Sequence, residues 1–213
     1  MGVLMLLSGV VAGIIALFGL FYKFWFLRDP LRLAPSGNNI ISPADGKIIE
    51  IKEIHPDSKG DIKKGKGVIQ TVYSDTILHG KSGYLITIFM TPFDVHYQRA
   101  PYDGKVVYSK HKKGQFRSAE KPRPQNENNQ ILIRTRLGNM KVIQVSGFIA
   151  RRIVSFVKEN QNIKKGQKIG MIRMGSQCCL IIPKMTHKMK AELKIKKGDR
   201  LKAGETIIMS LGK

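Results

Sequence analysis

The chain has 213 residues, 42% hydrophobic and 24% charged, a balance that supports one modest domain with a real core and excludes wholesale disorder. Its formal net charge of +22, from 37 Lys and Arg against 15 Asp and Glu, calls for an anionic partner or an anionic surface close by. Aromatic residues make up only 8% and no nucleic-acid-binding signature is present, so acidic lipid is favoured over nucleic acid as that partner.

The first element in chain order points the same way. Residues 3–22 carry no charge, and at about 1.5 Å per residue the run reaches roughly 30 Å, the depth of a hydrocarbon core. A transmembrane anchor is predicted over 1–27. No basic stretch precedes the run and no small-residue cleavage site follows it, which favours a retained anchor over a removed signal. Lys23, Arg28 and Arg32 come after the span, so the positive-inside rule puts the remainder in the cytoplasm, attached to the cell membrane. Tyr22, Phe24, Trp25 and Phe26 belong at interfacial depth. A linker over 28–40, marked by prolines and a Ser-Gly-Asn-Asn cluster, leads into a domain over 41–213.

Within that domain the strand-like runs are 47–54, 67–73, 84–90, 104–108, 131–136 and 141–147, separated by Gly, Pro and Asn. They predict a mainly β fold, a compact sandwich or barrel-like domain with few short helices. Residues 150–158 fit a helix or a strand equally well. Residues 114–130 are polar and aperiodic, and read as a mobile loop. A basic-pair-then-Gly pattern recurs at 162–172 and 194–208 and more faintly at 61–69, which predicts repeated β-turns. Cys178 and Cys179 are adjacent, a poor geometry for a mutual disulfide and too few sulfurs for a structural zinc site. His55, His79, His111 and His187 lack ligand spacing, and no metal is expected.

Four segments hold candidate chemistry: ISPADGK (41–47), FMTPFDVHYQRAPYDGKV (89–106), GFIARRIVSFVKE (147–159) and IRMGSQ (172–177). Each alone has an ordinary reading. Asp45-Gly46 is a common turn, His96 a hydrogen-bonded histidine beside one, Arg151 and Arg152 solvated surface, and Gly175-Ser176 another turn. Together and in this order they resemble the phosphatidylserine decarboxylase family in its short membrane-anchored form, over about residues 26–183.

The resemblance implies self-cleavage between Gly175 and Ser176 into chains 1–175 and 176–213, with Ser176 converted to a covalent pyruvoyl cofactor. It further implies decarboxylation of a phosphatidylserine-type lipid to its ethanolamine counterpart, with association of the two cleavage products and room for a homodimer. The residue types suit that chemistry. A serine hydroxyl can attack the preceding carbonyl, and glycine before it permits the bent approach. His96 matches the family's acid/base histidine, and Asp45 the aspartate that orients it. Where the long form has a second histidine this chain has Arg99, which cannot act as a base but suits a phosphate or carboxylate, as do Arg151 and Arg152. The competing reading is a membrane-tethered biotinyl- or lipoyl-like carrier, intact in chain and modified at Lys188 or Lys190 of HKMKA (187–191).

Overall fold

The computed structural model describes residues 2–54, 82–115, 118, 120, 126–147, 152–173, 176–185 and 190–212. The expected strand at 67–73 and the faint repeat at 61–69 lie outside the described residues. Helix α1 (Gly2–Leu20) runs into a wider π-helical turn (Phe21–Phe26). The stretch from Gly2 to Phe26 is long and apolar enough to cross a membrane. No residue of α1 is buried, whereas Phe26 at the end of the wide turn is fully buried.

After the linker come β1 (Asn39–Ile41), β2 (Gly46–Ile54), β3 (Gly83–Met90), β4 (Tyr97–Arg99), β5 (Gly104–Lys112), β6 (Asn128–Thr135) and β7 (Gly138–Ser146). They are followed by β8 (Arg152–Ser155), β9 (Asn162–Ile163), β10 (Lys168–Arg173), β11 (Ser176–Pro183), β12 (Ala191–Leu193), β13 (Arg200–Leu201) and β14 (Ile207–Leu211). The fold is mainly β, as the short alternating runs predicted. The ambiguous stretch 150–158 contains strand β8, and β6 begins within the segment read as a loop.

Eight strands form one antiparallel sheet, in the order β13-β2-β3-β11-β7-β6-β5-β9, curled into a half-barrel. Two three-stranded sheets accompany it, β1-β14-β12 and β4-β10-β8. Strand β11 is central in the large sheet and buried along its whole length. Successive side chains of a strand point to opposite faces, and β11 shows it: Cys178, Leu180 and Ile182 enter the larger hydrophobic cluster, while Cys179 and Ile181 enter the smaller. The adjacent cysteines therefore point apart, and both are thiols rather than halves of a disulfide.

The alternation also locates the site. On the larger cluster's face, β7 presents Met140 and Val142 and then Gln144 and Ser146, β6 presents Ile133 and Ile131 and then Asn129, and β11 presents Ile182, Leu180 and Cys178 and then Ser176. Register aligns these polar ends, with Ser176 opposite Ser146, Cys178 opposite Gln144, and Asn129 opposite Gln144. One end of an otherwise aliphatic face is thus polar, and the β4-β10-β8 sheet lies over it: Gln144 Nε2 donates to Gln98 Oε1 of β4 at 2.8 Å.

Glycines make two of these close approaches possible. At Gly170 a Cβ would lie 2.5 Å from the Gln144 amide nitrogen. Gly46 has φ +136° and a Cβ there would meet the Phe89 carbonyl oxygen at 2.2 Å, so Asp45-Gly46 enters the sheet by a path that only glycine follows without strain. Gly46→Ala is expected to cost roughly 2–4 kcal/mol of stability, from backbone strain plus overlap. Thermal unfolding in detergent checks this, and an unchanged midpoint would show that the strand can shift to relieve the overlap.

Candidate active site

Ser176 is the first residue of β11, paired with Met90 of β3 and Ser146 of β7, and its exposure is 0%. Its hydroxyl lies 3.5 Å from the Met90 thioether sulfur, a weak acceptor. The buried nucleophile candidate is therefore held without a strong competing hydrogen bond. Residues 174 and 175 lie outside the described residues, so Gly175 carries no geometry of its own here.

The Met90 sulfur also sits 3.7 Å from Gln98 Nε2, which donates to the His96 carbonyl at 3.0 Å. Ser176 and Gln98 of β4 thus meet at one sulfur atom. A buried polar chain continues from Gln98 through Gln144 to Asn129, whose amide donates to Gln144 Oε1 at 2.9 Å. Asn129 then reaches Ser109, and Ser109 donates to Ser155 at 3.0 Å. Ser109, Asn129 and Ser155 line an open groove of about 470 Å³ together with His111 and Lys158. The relay therefore joins the neighbourhood of Ser176 to solvent.

His96 lies in the turn before β4 and has 0% exposure. Its Nδ1 is 2.8 Å from the Asp94 carbonyl, which accepts only, so Nδ1 carries the proton and Nε2 keeps a lone pair. Nε2 is buried without a hydrogen-bond partner. Burial lowers the imidazole pKa to about 4, partly opposed by the hydrogen bond to the Asp94 carbonyl. The ring is accordingly neutral at physiological pH and presents a free basic nitrogen in a dry place. Asp94 stiffens the turn: its Oδ2 accepts from the Thr91 amide and hydroxyl, each at 2.7 Å, and its Oδ1 accepts from Arg200 at 2.7 Å.

The sequence reading gave Asp45 the task of orienting His96, and the structure shows the Asp94 carbonyl holding the ring instead. The Asp45 carboxylate accepts from Arg32 at 2.9 Å and from the Ala203 amide at 2.6 Å. Burial pushes its pKa up, opposed by the Ala203 amide and by Arg32. Arg99, a substrate-binding expectation, donates to the Gly166 carbonyl at 3.0 Å and to Asp29 at 3.2 Å, and so fastens the linker. Arg151 lies outside the described residues. Arg152 is exposed on β8 directly opposite Arg173 of β10. Arg173 Nε is buried without a partner, and two like charges across a strand pair repel.

Met90, Gln98, Gln144 and Arg173 were not singled out from sequence, and Phe26 was expected only as an interfacial aromatic. A parity count along the strands could have found Gln144, since it falls on the same face as Met140 and Val142.

Comparison with known proteins supplies the class. The family model described as phosphatidylserine decarboxylase matches residues 20–209. A putative archaetidylserine decarboxylase proenzyme of Methanothermobacter thermautotrophicus is 41% identical over 194 residues, covering 88% of this chain and 79% of the relative. Another so named from Methanocaldococcus jannaschii is 40% identical over 192 residues, 89% of each chain. A phosphatidylserine decarboxylase proenzyme of Syntrophus aciditrophicus is 38% identical over 189 residues, 87% of this chain and 78% of the relative. The chain is a decarboxylase, a carboxy-lyase acting on a carbon–carbon bond. More narrowly, it belongs to the phosphatidylserine decarboxylase family.

The low imidazole pKa has a stability consequence of definite sign. An unfolded His96 takes up a proton as pH falls below about 6.5, while the folded one resists down to about 4. The stabilisation from a neutral His96 is therefore complete above pH 6.5 and is lost as pH falls through 4, about 3 kcal/mol in all. Denaturant unfolding of the Ser176→Ala chain from pH 7.5 to 4 is expected to show this acid loss, and adding His96→Gln should flatten it. Equal pH slopes with and without His96 would rule out the buried neutral ring.

Proposed function

We propose that the protein decarboxylates a phosphatidylserine-type lipid to its ethanolamine counterpart after converting Ser176 into a pyruvoyl group. The observation that carries the reading is a buried Ser176 hydroxyl in contact with the weak Met90 acceptor, linked through that sulfur and Gln98 to the backbone of His96, whose buried imidazole is neutral. The names of the relatives, proenzymes of serine-lipid decarboxylases, agree with it.

In self-processing the Ser176 Oγ attacks the Gly175 carbonyl carbon. The new C–O bond replaces the C–N bond, and the freed amine takes the proton. Loss of the Ser176 α-proton then expels the Gly175 carboxylate, and one water converts the remaining dehydroalanine to the ketone with release of ammonia. Family-typical pyruvoyl chemistry fits the site, because a ketone at Ser176 would forfeit no strong hydrogen bond.

The pyruvoyl group supplies an electrophilic carbonyl that accepts electrons from the departing carboxylate of the serine head. His96 Nε2, which has a lone pair, would take up the proton that the substrate amine loses and deliver it to the α-carbon in place of the departed carbon dioxide. Asp45 contributes by fixing the turn before β2 through Arg32 and Ala203, and Arg99 by fixing the linker. Arg152, with Arg173 opposite and Arg151 preceding it, suits the lipid phosphodiester, which would also relieve their mutual repulsion. The reaction occurs at the serine head, so ester-linked and ether-linked glycerol backbones are both compatible with it. Lys23, Arg28 and Arg32 after the span support a β domain on the cytoplasmic side of the membrane, where the two cleavage products would stay together.

Intact mass of the purified chain beside Ser176→Ala tests the reading. Two fragments meeting at Ser176 are expected, the smaller blocked by a carbonyl, together with carbon dioxide release from a serine-headed lipid. A folded full-length species indistinguishable from the Ser176→Ala control would sink the self-processing mechanism and restore the carrier reading, with Lys188 and Lys190 to be searched for a modification.

A further inference from the structure

The membrane helix ends by touching the candidate base. In the turn Phe21–Phe26 the Leu27 amide bonds back to the Tyr22 carbonyl at 3.1 Å, a wider repeat than an α-helix makes. Such turns are rare and cluster at functional sites. Here the wide turn stacks Tyr22 on Phe26 at 5.4 Å and carries Phe26 onto the His96 ring, with centroids 4.1 Å apart and planes tilted by 36°. Phe24 and Trp25 in the same turn stay exposed, while Phe26 has 0% exposure.

Further contacts lock this arrangement to the turn that holds His96. Phe21 meets Phe93 edge-on at 5.8 Å, and Arg28 donates to the Phe93 carbonyl at 2.6 Å and to the Trp25 carbonyl at 2.9 Å. The span and the catalytic turn are therefore joined at both ends of the segment from Phe21 to Arg28.

We propose that Phe26 is a positioning residue for His96, holding the imidazole dry and neutral so that the membrane anchor is itself a working part of the catalytic site. This rests on the assignment of His96 as the acid/base group. The other groups around the ring cannot do this alone. Asp94, in the same turn, is a carboxylate that favours an imidazolium, although Arg200 pairs with it. Arg28 disfavours the imidazolium through its charge, and Arg173 follows Ile172, whose amide donates to the His96 carbonyl. Exclusion of water by the Phe26 ring is what makes a protonated His96 costly, because a charge without solvent or partner is strongly disfavoured.

The test is a titration of His96, labelled with 13C in the ring, by NMR of the full-length Ser176→Ala chain in detergent micelles. Phe26→Ala and Phe26→Gln each admit water or a polar group, and both should raise the midpoint by about one pH unit or more. Phe26→Leu should keep it near the parent value, and Phe24→Ala, which changes an exposed side chain of the same turn, should not move it. If Phe26→Ala does not fold, Phe26→Gln decides. Midpoints equal to the parent in every folded Phe26 variant would overturn the proposal.

The readout does not depend on self-cleavage. In the Ser176 chain the pH range of self-cleavage should shift upward in Phe26→Gln. A shifted titration in a chain that never self-cleaves would refute the pyruvoyl mechanism while leaving the positioning role standing.

Discussion

The site takes its geometry from one set of backbone hydrogen bonds, the ladder that holds β11 between β3 and β7. That register places Ser176 against Met90 on one side and Ser146 on the other. Because the side-chain period of a strand is two, a slip of one residue would turn Ser176 to the opposite face and bring Gln177 inward. The slip would also exchange Cys178, Leu180 and Ile182 of the larger cluster for residues of the smaller one. Burial of the aliphatic part of β11 thus fixes the position of its one reactive end.

A site so dry favours neutral groups, and the charged residues are arranged accordingly. Ser176 meets a thioether, the same sulfur meets the first of two paired glutamine amides, and burial keeps the His96 imidazole uncharged. Apart from Asp94 with Arg200 at the His96 turn, two groups of ion pairs stand in the seam between linker and domain. Arg32 bridges Asp45 and Glu205, and Asp29 receives both Arg99 and Lys168. These pairs are partly buried, so removing one partner would leave a charge that the fold cannot easily solvate. Their effect is to fix where the linker leaves the apolar helical segment, and hence where Phe26 meets His96.

The mainly β fold was legible because short alternating runs bounded by Gly, Pro and Asn have few other interpretations. The repeats at 162–172 and 194–208 likewise predicted turns, and Gly166 and Gly198 adopt φ of +80° and +99° there. Ser176 and His96 stood out only through the company of the other motifs, since a serine after glycine or a histidine after a turn has many uses. The partner of His96 was not legible. A backbone carbonyl, that of Asp94, does what a carboxylate was expected to do, and no residue identity encodes a carbonyl's direction. Arg99 misled for a related reason: its side chain suits a phosphate, but a linker carboxylate 70 residues earlier in sequence reaches it first. Phe26 was read as one more member of an interfacial aromatic belt, and only the wide turn separates its direction from those of Phe24 and Trp25.

The same topology bears on what a cut before Ser176 would do to the fold. Everything from Ser176 onward would then belong to a short second chain, yet its strands are interleaved with those of the first. Strand β11 pairs with β3 and β7, β13 with β2, and β14 with β1. Only β12 finds its described partner, β14, within the short piece. Separating the pieces would strip both faces of β11 and open the larger hydrophobic cluster, to which Cys178, Leu180, Ile182, Leu201 and Ile208 all contribute. At roughly 25 cal/mol per Å² of apolar surface, exposing such a cluster costs far more than one severed peptide link returns in chain entropy. Cleavage at this position is therefore compatible with an intact domain: it would free the end of a central strand, where the proposed carbonyl would form, and leave the ladder that positions it in place.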